Sequence, residues 1–198
     1  MRVRLQDKVF GLRETMSDIA GLVLGLPGLV TACVDCFNYV QLARNFGSDY
    51  AQCLLELDAI KMRLSRWGSA VGITKSHLPN LPDLSKEDSQ MARSLLTSIL
   101  DTFAKAEVAS ARFVKANAAE DPADVGLIPC DPNTDLDLHY QTLHGTIEEI
   151  VKKRHKNTSL LKKAKWAFYQ KSKFDTMIFE LRRLVDDLTD LLDRKSVV

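Results

Sequence analysis

The sequence predicts an all-α fold, a bundle of about six to eight helices with at most a very short two-stranded β element. Two observations carry this. Apolar residues recur every three or four positions through successive long stretches, the period of an amphipathic helix. Segments rich in proline, glycine, asparagine and aspartate separate these stretches and stop the helices. No internal repeat or low-complexity tract appears.

Residues 1–15 are charged and weakly periodic. They read as a leader or upstream extension, expected to be disordered, and residues 16–198 read as one helical domain. From Ile19 to Val34, sixteen residues pass without a charge. A clean transmembrane helix needs roughly 20 apolar residues, so this run is short for one. Gly21 and Gly25 form a GxxxG, a weak signal for close helix contact. Pro27 lacks a backbone donor and restrains Leu26, so a helix either starts near it or kinks there. Asp7, Glu14 and Asp18 precede the run where a secretory signal wants positive charge. A buried core helix is the expected resting state.

The turn Asn45-Phe46-Gly47-Ser48 follows. Tyr50, Cys53, Leu54, Leu57, Ile60, Leu64, Trp67 and Val71 then mark a helix that stops at Gly72. Pro79 and Pro82 make a loop. Ser85 and Asp88 resemble a capping box and open a long helix carrying Leu95, Leu96, Ile99, Phe103, Ala106 and Phe113. A second loop holds Asp121-Pro122, Gly126, Pro129 and Pro132, and its residues 125–128 are a candidate short strand. Thr134 is the expected cap of a helix with Leu136, Tyr140, Leu143, Ile147 and Ile150. A further helix is expected over about Leu160 to Gln170. The last places Phe174, Ile178, Leu181, Val185, Leu188 and Leu192 on one face.

Lys plus Arg number 27 and Asp plus Glu 26, a net charge of +1. Global charge therefore argues for neither nucleic acid nor a membrane. The four cysteines include the pair Cys33 and Cys36, a CxxC without a second CxxC, which supports core packing better than zinc. No phosphate-binding glycine loop, HExxH, GxSxG or EF-hand loop is present. Among the histidines, His139 and His144 are five apart and share no helix face. No enzyme and no cofactor are expected.

Two local features remain. From Lys152 to Lys173 there are nine Lys or Arg and no acid: Lys152, Lys153, Arg154, Lys156, Lys162, Lys163, Lys165, Lys171 and Lys173. Trp166, Phe168 and Tyr169 are interleaved. Such a stretch suits an anionic lipid surface, at about 1 kcal/mol per residue. The alternative is that it pairs with Asp186, Asp187, Asp190 and Asp193 of the last helix. Asp35 lies between Val34 and Phe37 with no cation three or four residues away. It either faces water, finds a distant partner, or is buried at considerable cost.

The run CVDCFNYVQLARNFGSDY from Cys33 to Tyr50 resembles the signature of the HeLo domain family, which includes the N-terminal domain of the fungal HET-s prion and heterokaryon-incompatibility proteins. So does LDAIKMRLSRWG from Leu57 to Gly68. A third block, Ser159 to Leu181 with KKAKWAFY from Lys162 to Tyr169, is similar in order and spacing. The resemblance implies a cytoplasmic helical homodimer acting in incompatibility or programmed cell death. It implies an amyloid-forming tail, or a related prion-type partner, as the switch. The helical domain then loosens and its N-terminal apolar segment enters a membrane. Carried over by position, that segment includes Ile19, Leu22, Val23, Leu24, Leu26, Leu29, Val30 and Val34. Asp35 takes the family's acidic position and Asn45 a variable one in the following turn, a candidate for tuning. No Asn/Gly-rich repeat follows Leu192, so prion propagation is not expected from this chain alone. The alternative function is a homodimeric interaction module without membrane activity. Nucleic acid is not an expected partner.

Overall fold

The computed structural model describes residues 25–72, 84–117, 128–155 and 165–193. Among them are six α-helices, two short strands and one 3-10 segment. The order is α1 Leu26–Tyr39, β1 Val40–Leu42, the 3-10 segment Arg44–Asp49, α2 Tyr50–Ala70 and α3 Lys86–Ala116. Then follow α4 Pro132–Asp135, α5 Leu138–His155, β2 Trp166–Phe168 and α6 Lys171–Asp193.

Pro27 starts a helix rather than kinking one. It falls in the first turn of α1, where its missing N–H leaves no bond unmade. Val40 is extended and carries the chain straight from α1 into β1. Gly47, at φ +53°, breaks the 3-10 segment with a conformation that suits glycine. α2 ends as expected beside Gly72, whose φ of +76° stops the helix. Ser85 caps α3 by accepting a hydrogen bond from the Asp88 N–H at 2.9 Å. Glu87 and Asp88 in its first turn and Lys115 in its last suit the helix dipole.

The apolar faces read from the sequence become the core. Cys53, Leu57, Ile60, Leu64 and Trp67 of α2 are buried with Leu96, Ile99 and Phe103 of α3. Phe174, Ile178, Leu181, Val185 and Leu188 of α6 join them. α6 lies along α3, α1 packs on both α2 and α3, and α5 packs on α2.

Two expectations are corrected. The helix expected over Leu160 to Gln170 is not formed in its described part, because Trp166–Phe168 is a strand. It pairs in parallel with β1 in the register Val40↔Trp166, Gln41↔Ala167, Leu42↔Phe168. The physical reason is visible in the side chains. As a strand, Trp166 and Phe168 share one face, with rings 5.0 Å apart, and Phe168 continues edge-on to Phe174 at 5.4 Å. The Ser110 hydroxyl of α3 donates to the Ala167 carbonyl. On the other edge of β1, the Cys130 N–H donates to the Leu42 carbonyl at 2.7 Å and the Arg44 N–H to Ile128 at 2.8 Å. Of the candidate strand 125–128, only Ile128 is among the described residues; the neighbouring Pro129 bridges Ala43.

The second correction concerns Thr134. It sits inside the short α4, whose cap is Asp131, accepting from the Asn133 N–H at 2.9 Å. Leu136 is extended, so the helix cannot continue through it. α5 begins two residues later, where the Asp137 carboxylate accepts from the Tyr140 N–H at 3.0 Å. Leu143, expected on the inner face, is 39% exposed.

Candidate functional site

The apolar N-terminal segment is a site of packing in this structure. Ile19, Leu22, Val23 and Leu24 lie outside the described residues. Leu26 is half-buried, and Leu29, Val30 and Val34 are buried in the core. Phe37, one turn on, meets Phe103 of α3 edge-to-face at 4.8 Å. The Cys33 thiol donates to the Leu96 carbonyl at 3.3 Å. Against α2 the approach is closer still. A Cβ placed on Gly68 would lie 2.7 Å from Val30 Cγ1, so glycine is what lets α1 seat there. Apolar contact dominates the seating. Gly25 gives no side-chain cap, and α1 has no acid in its first turn and no base in its last. Among the described residues, no helix is long and apolar enough to cross a membrane.

Asp35 is buried, at 7% exposure, among the apolar residues of α1. It is engaged within the fold, and the solvent-facing alternative does not hold. Asn45 is exposed, and its side-chain amide donates to the Tyr169 carbonyl at the exit of β2. The candidate tuning position thus ties the turn after β1 to the chain leaving β2.

The basic stretch is divided by the fold. Lys152 and Lys153 are exposed in the last turn of α5, where they suit the helix dipole. Lys153 pairs with Glu149 at 3.5 Å. The Arg154 guanidinium rests on the Met62 sulfur at 3.0 Å. Lys165 is exposed just before β2. Lys156, Lys162 and Lys163 lie outside the described residues. The acids of α6 find other cations: Asp186 pairs with Arg63 of α2, and Asp187 with Arg183 at 3.4 Å.

Burial pushes the Cys33 thiol well above its ordinary range and the Cys53 thiol to about 11. Both stay neutral, as core residues do, and not as the thiolates that metal or redox chemistry needs.

The most polar buried feature was missed by the sequence reading. Asp58, Lys61 and Ser65 of α2 are all buried, on one face at three- and four-residue spacing. They meet α5 group by group. The His144 ring nitrogen Nδ1 is 2.7 Å from Asp58 Oδ2. Lys61 Nζ donates to Glu148 Oε1. His155 Nε2 is 3.1 Å from the Ser65 hydroxyl. The hydrogen bond with Asp58 raises the His144 pKa above the usual histidine value, against burial. Burial raises the Asp58 pKa, partly offset by its bond to His144. Asp58, His144 and Glu148 offer donor atoms within 4.8 Å of one another. A cavity of about 630 Å³ opens beside them, lined also by Phe37, Leu42, Tyr50 and Cys130. The signal in the sequence is the i, i+4 spacing of His144 and Glu148, which places both on one helix face.

Comparison with known proteins places the chain. The family model HeLo, described as prion-inhibition and propagation, matches residues 20–198. The heterokaryon incompatibility protein s of Podospora anserina is 37% identical over 176 residues, covering 87% of this chain and 59% of that protein. The heterokaryon incompatibility protein S of the same species is 36% identical over 177 residues, with 89% and 59% covered. The chain thus spans 59% of the length of each of these relatives. The solved structure of the HET-s N-terminal domain superposes with a TM-score of 0.74 at 35% identity, covering 85% of this chain and 76% of that one. A substituted form of that domain gives 0.72. With its helices in this order around a short parallel strand pair, and with this similarity along most of its length, the chain belongs to the HeLo domain family.

Proposed function

We propose that this chain is a regulated domain of fungal incompatibility or programmed cell death whose N-terminal apolar segment is released to perturb a membrane. The observation that supports this reading is the seating of α1. It is an apolar helix at the start of the described fold, held mainly by contacts that lipid can replace.

The magnitudes fit a latent switch. Burying Leu29, Val30, Val34 and Phe37 is worth roughly 1.5–3 kcal/mol each, or about 6–12 kcal/mol together. A whole domain is stable by about 5–15 kcal/mol. Releasing α1 therefore takes most of the domain's stability, and a trigger must loosen the bundle as a whole. Lipid then restores the apolar burial that release removes. A segment this short spans poorly alone, so oligomers carry the perturbation. Lys152 and Lys153, exposed on α5, are available to an anionic surface. A homodimer at rest and a prion-type partner as trigger belong to the same reading, as does no catalytic step.

The test is dye release from anionic liposomes by native and mildly destabilised protein, with deletion of residues 19–34 as control. Release on destabilisation, lost with the deletion, supports the proposal. Absence of release in every condition, with the dimer intact, favours the interaction module.

A further inference from the structure

We propose that Asp58, His144 and Glu148 form a binding site for a divalent transition metal such as Zn²⁺, at the seam between α2 and α5. The donor set is mixed, one imidazole nitrogen and two carboxylates, which suits zinc better than calcium or magnesium. Two of the donors, His144 and Glu148, stand one turn apart on α5, and the third comes from the facing helix. Their donor atoms already lie within 4.8 Å of one another. Ligands of a tetrahedral zinc stand roughly 3.4 Å apart, given bonds of about 2.1 Å, so small side-chain rotations complete the shell.

The second observation is the burial of this chemistry beside open space. Asp58 is only 2% exposed, yet it faces a cavity of about 630 Å³. The cavity supplies an entry path and room for a water as fourth ligand. An exposed acidic cluster would have neither the buried anchor nor the walls.

Lys61 does not obstruct the site. Its ammonium engages Glu148 Oε1, which leaves Oε2 for the metal. With neutral His144, the two carboxylates and Lys61 sum to −1, an anionic site that a divalent cation brings to +1.

The consequence is structural. The metal would clamp α5 to α2 by bonds that span 86 and 90 residues of chain, and would raise the stability of the bundle.

The test is calorimetric titration of the whole chain with Zn²⁺ at pH 7.5, beside thermal unfolding with and without the ion. One Zn²⁺ per chain and a raised Tm are expected. Glu148→Gln and His144→Gln should each weaken binding roughly tenfold or more and lose the Tm rise. Glu148→Gln keeps an oxygen to accept from the buried Lys61 ammonium, and circular dichroism of both variants separates lost binding from lost fold. Co²⁺ in place of Zn²⁺ should give visible bands without the near-ultraviolet absorption of a cysteine thiolate. Absence of Zn²⁺ binding by the folded protein overturns the proposal. So does binding that Glu148→Gln leaves at native strength, or a thiolate band.

Discussion

Substituting Gly68 by alanine tests how α1 is held. The added Cβ would lie 2.7 Å from Val30 Cγ1, well inside van der Waals contact. Both atoms belong to helices packed in the core, so neither moves freely. Overpacking of this kind costs about 1–3 kcal/mol. Alanine in place of glycine within a helix contributes about 1 kcal/mol of the opposite sign. Gly68→Ala should therefore be neutral to destabilising by about 2 kcal/mol. Gly145→Ala is the internal control. Gly145 lies within α5, is exposed and has nothing within 4 Å of its added Cβ, so this variant should gain about 1 kcal/mol. The assay is urea unfolding of both variants, read as midpoint at constant slope. Val30→Ala removes Cγ1 and should relieve the clash. The double variant with Gly68→Ala should show a coupling of roughly 0.5–3 kcal/mol. Equal stabilisation by the two alanine variants, with no coupling to Val30, would refute the close seating of α1 on α2.

Two further expectations follow from single contacts. Asn45→Asp keeps the shape of the side chain but removes the donor to the Tyr169 carbonyl, and should cost about 0.5–1.5 kcal/mol in urea unfolding; an unchanged midpoint would mean that this tie carries no stability. His155 has its pKa lowered, first by burial and then by Arg154 and Lys61. The fold thus favours the neutral ring. The stability this gives is present above the unfolded value near 6.5 and is lost as pH falls through the lower folded value. The stability gap between native protein and His155→Gln should narrow between pH 7.5 and pH 5, and a widening gap would contradict the assigned direction.

Much of the fold was legible because helix periodicity is local. The buried faces of α2, α3 and α6 follow from residues three and four apart, and Pro27, Gly72 and Ser85 mark helix ends by their own backbone chemistry. One error fell where a distant partner decides, the other where a neighbouring residue caps first. The sequence reads as helix through KWAFYQ, yet Trp166–Phe168 is a strand because β1 offers open backbone groups and Phe174 an aromatic wall. Thr134 looked like a cap, but Asp131 and Pro132 close their own turn first.

The same division runs through the site. By itself the sequence determined that an uncharged run opens the domain, that its apolar residues repeat on helix faces, and that its opening blocks resemble the HeLo family. Only the tertiary structure decided that Asp35 is buried, that Asn45 reaches Tyr169 across 124 residues, and that Asp58 meets His144 across 86. Periodicity tells which face of a helix is apolar. Which polar groups oppose one another across a seam depends on the angle and register at which two helices dock. Those are set by the whole core, including one glycine that lets Val30 come close.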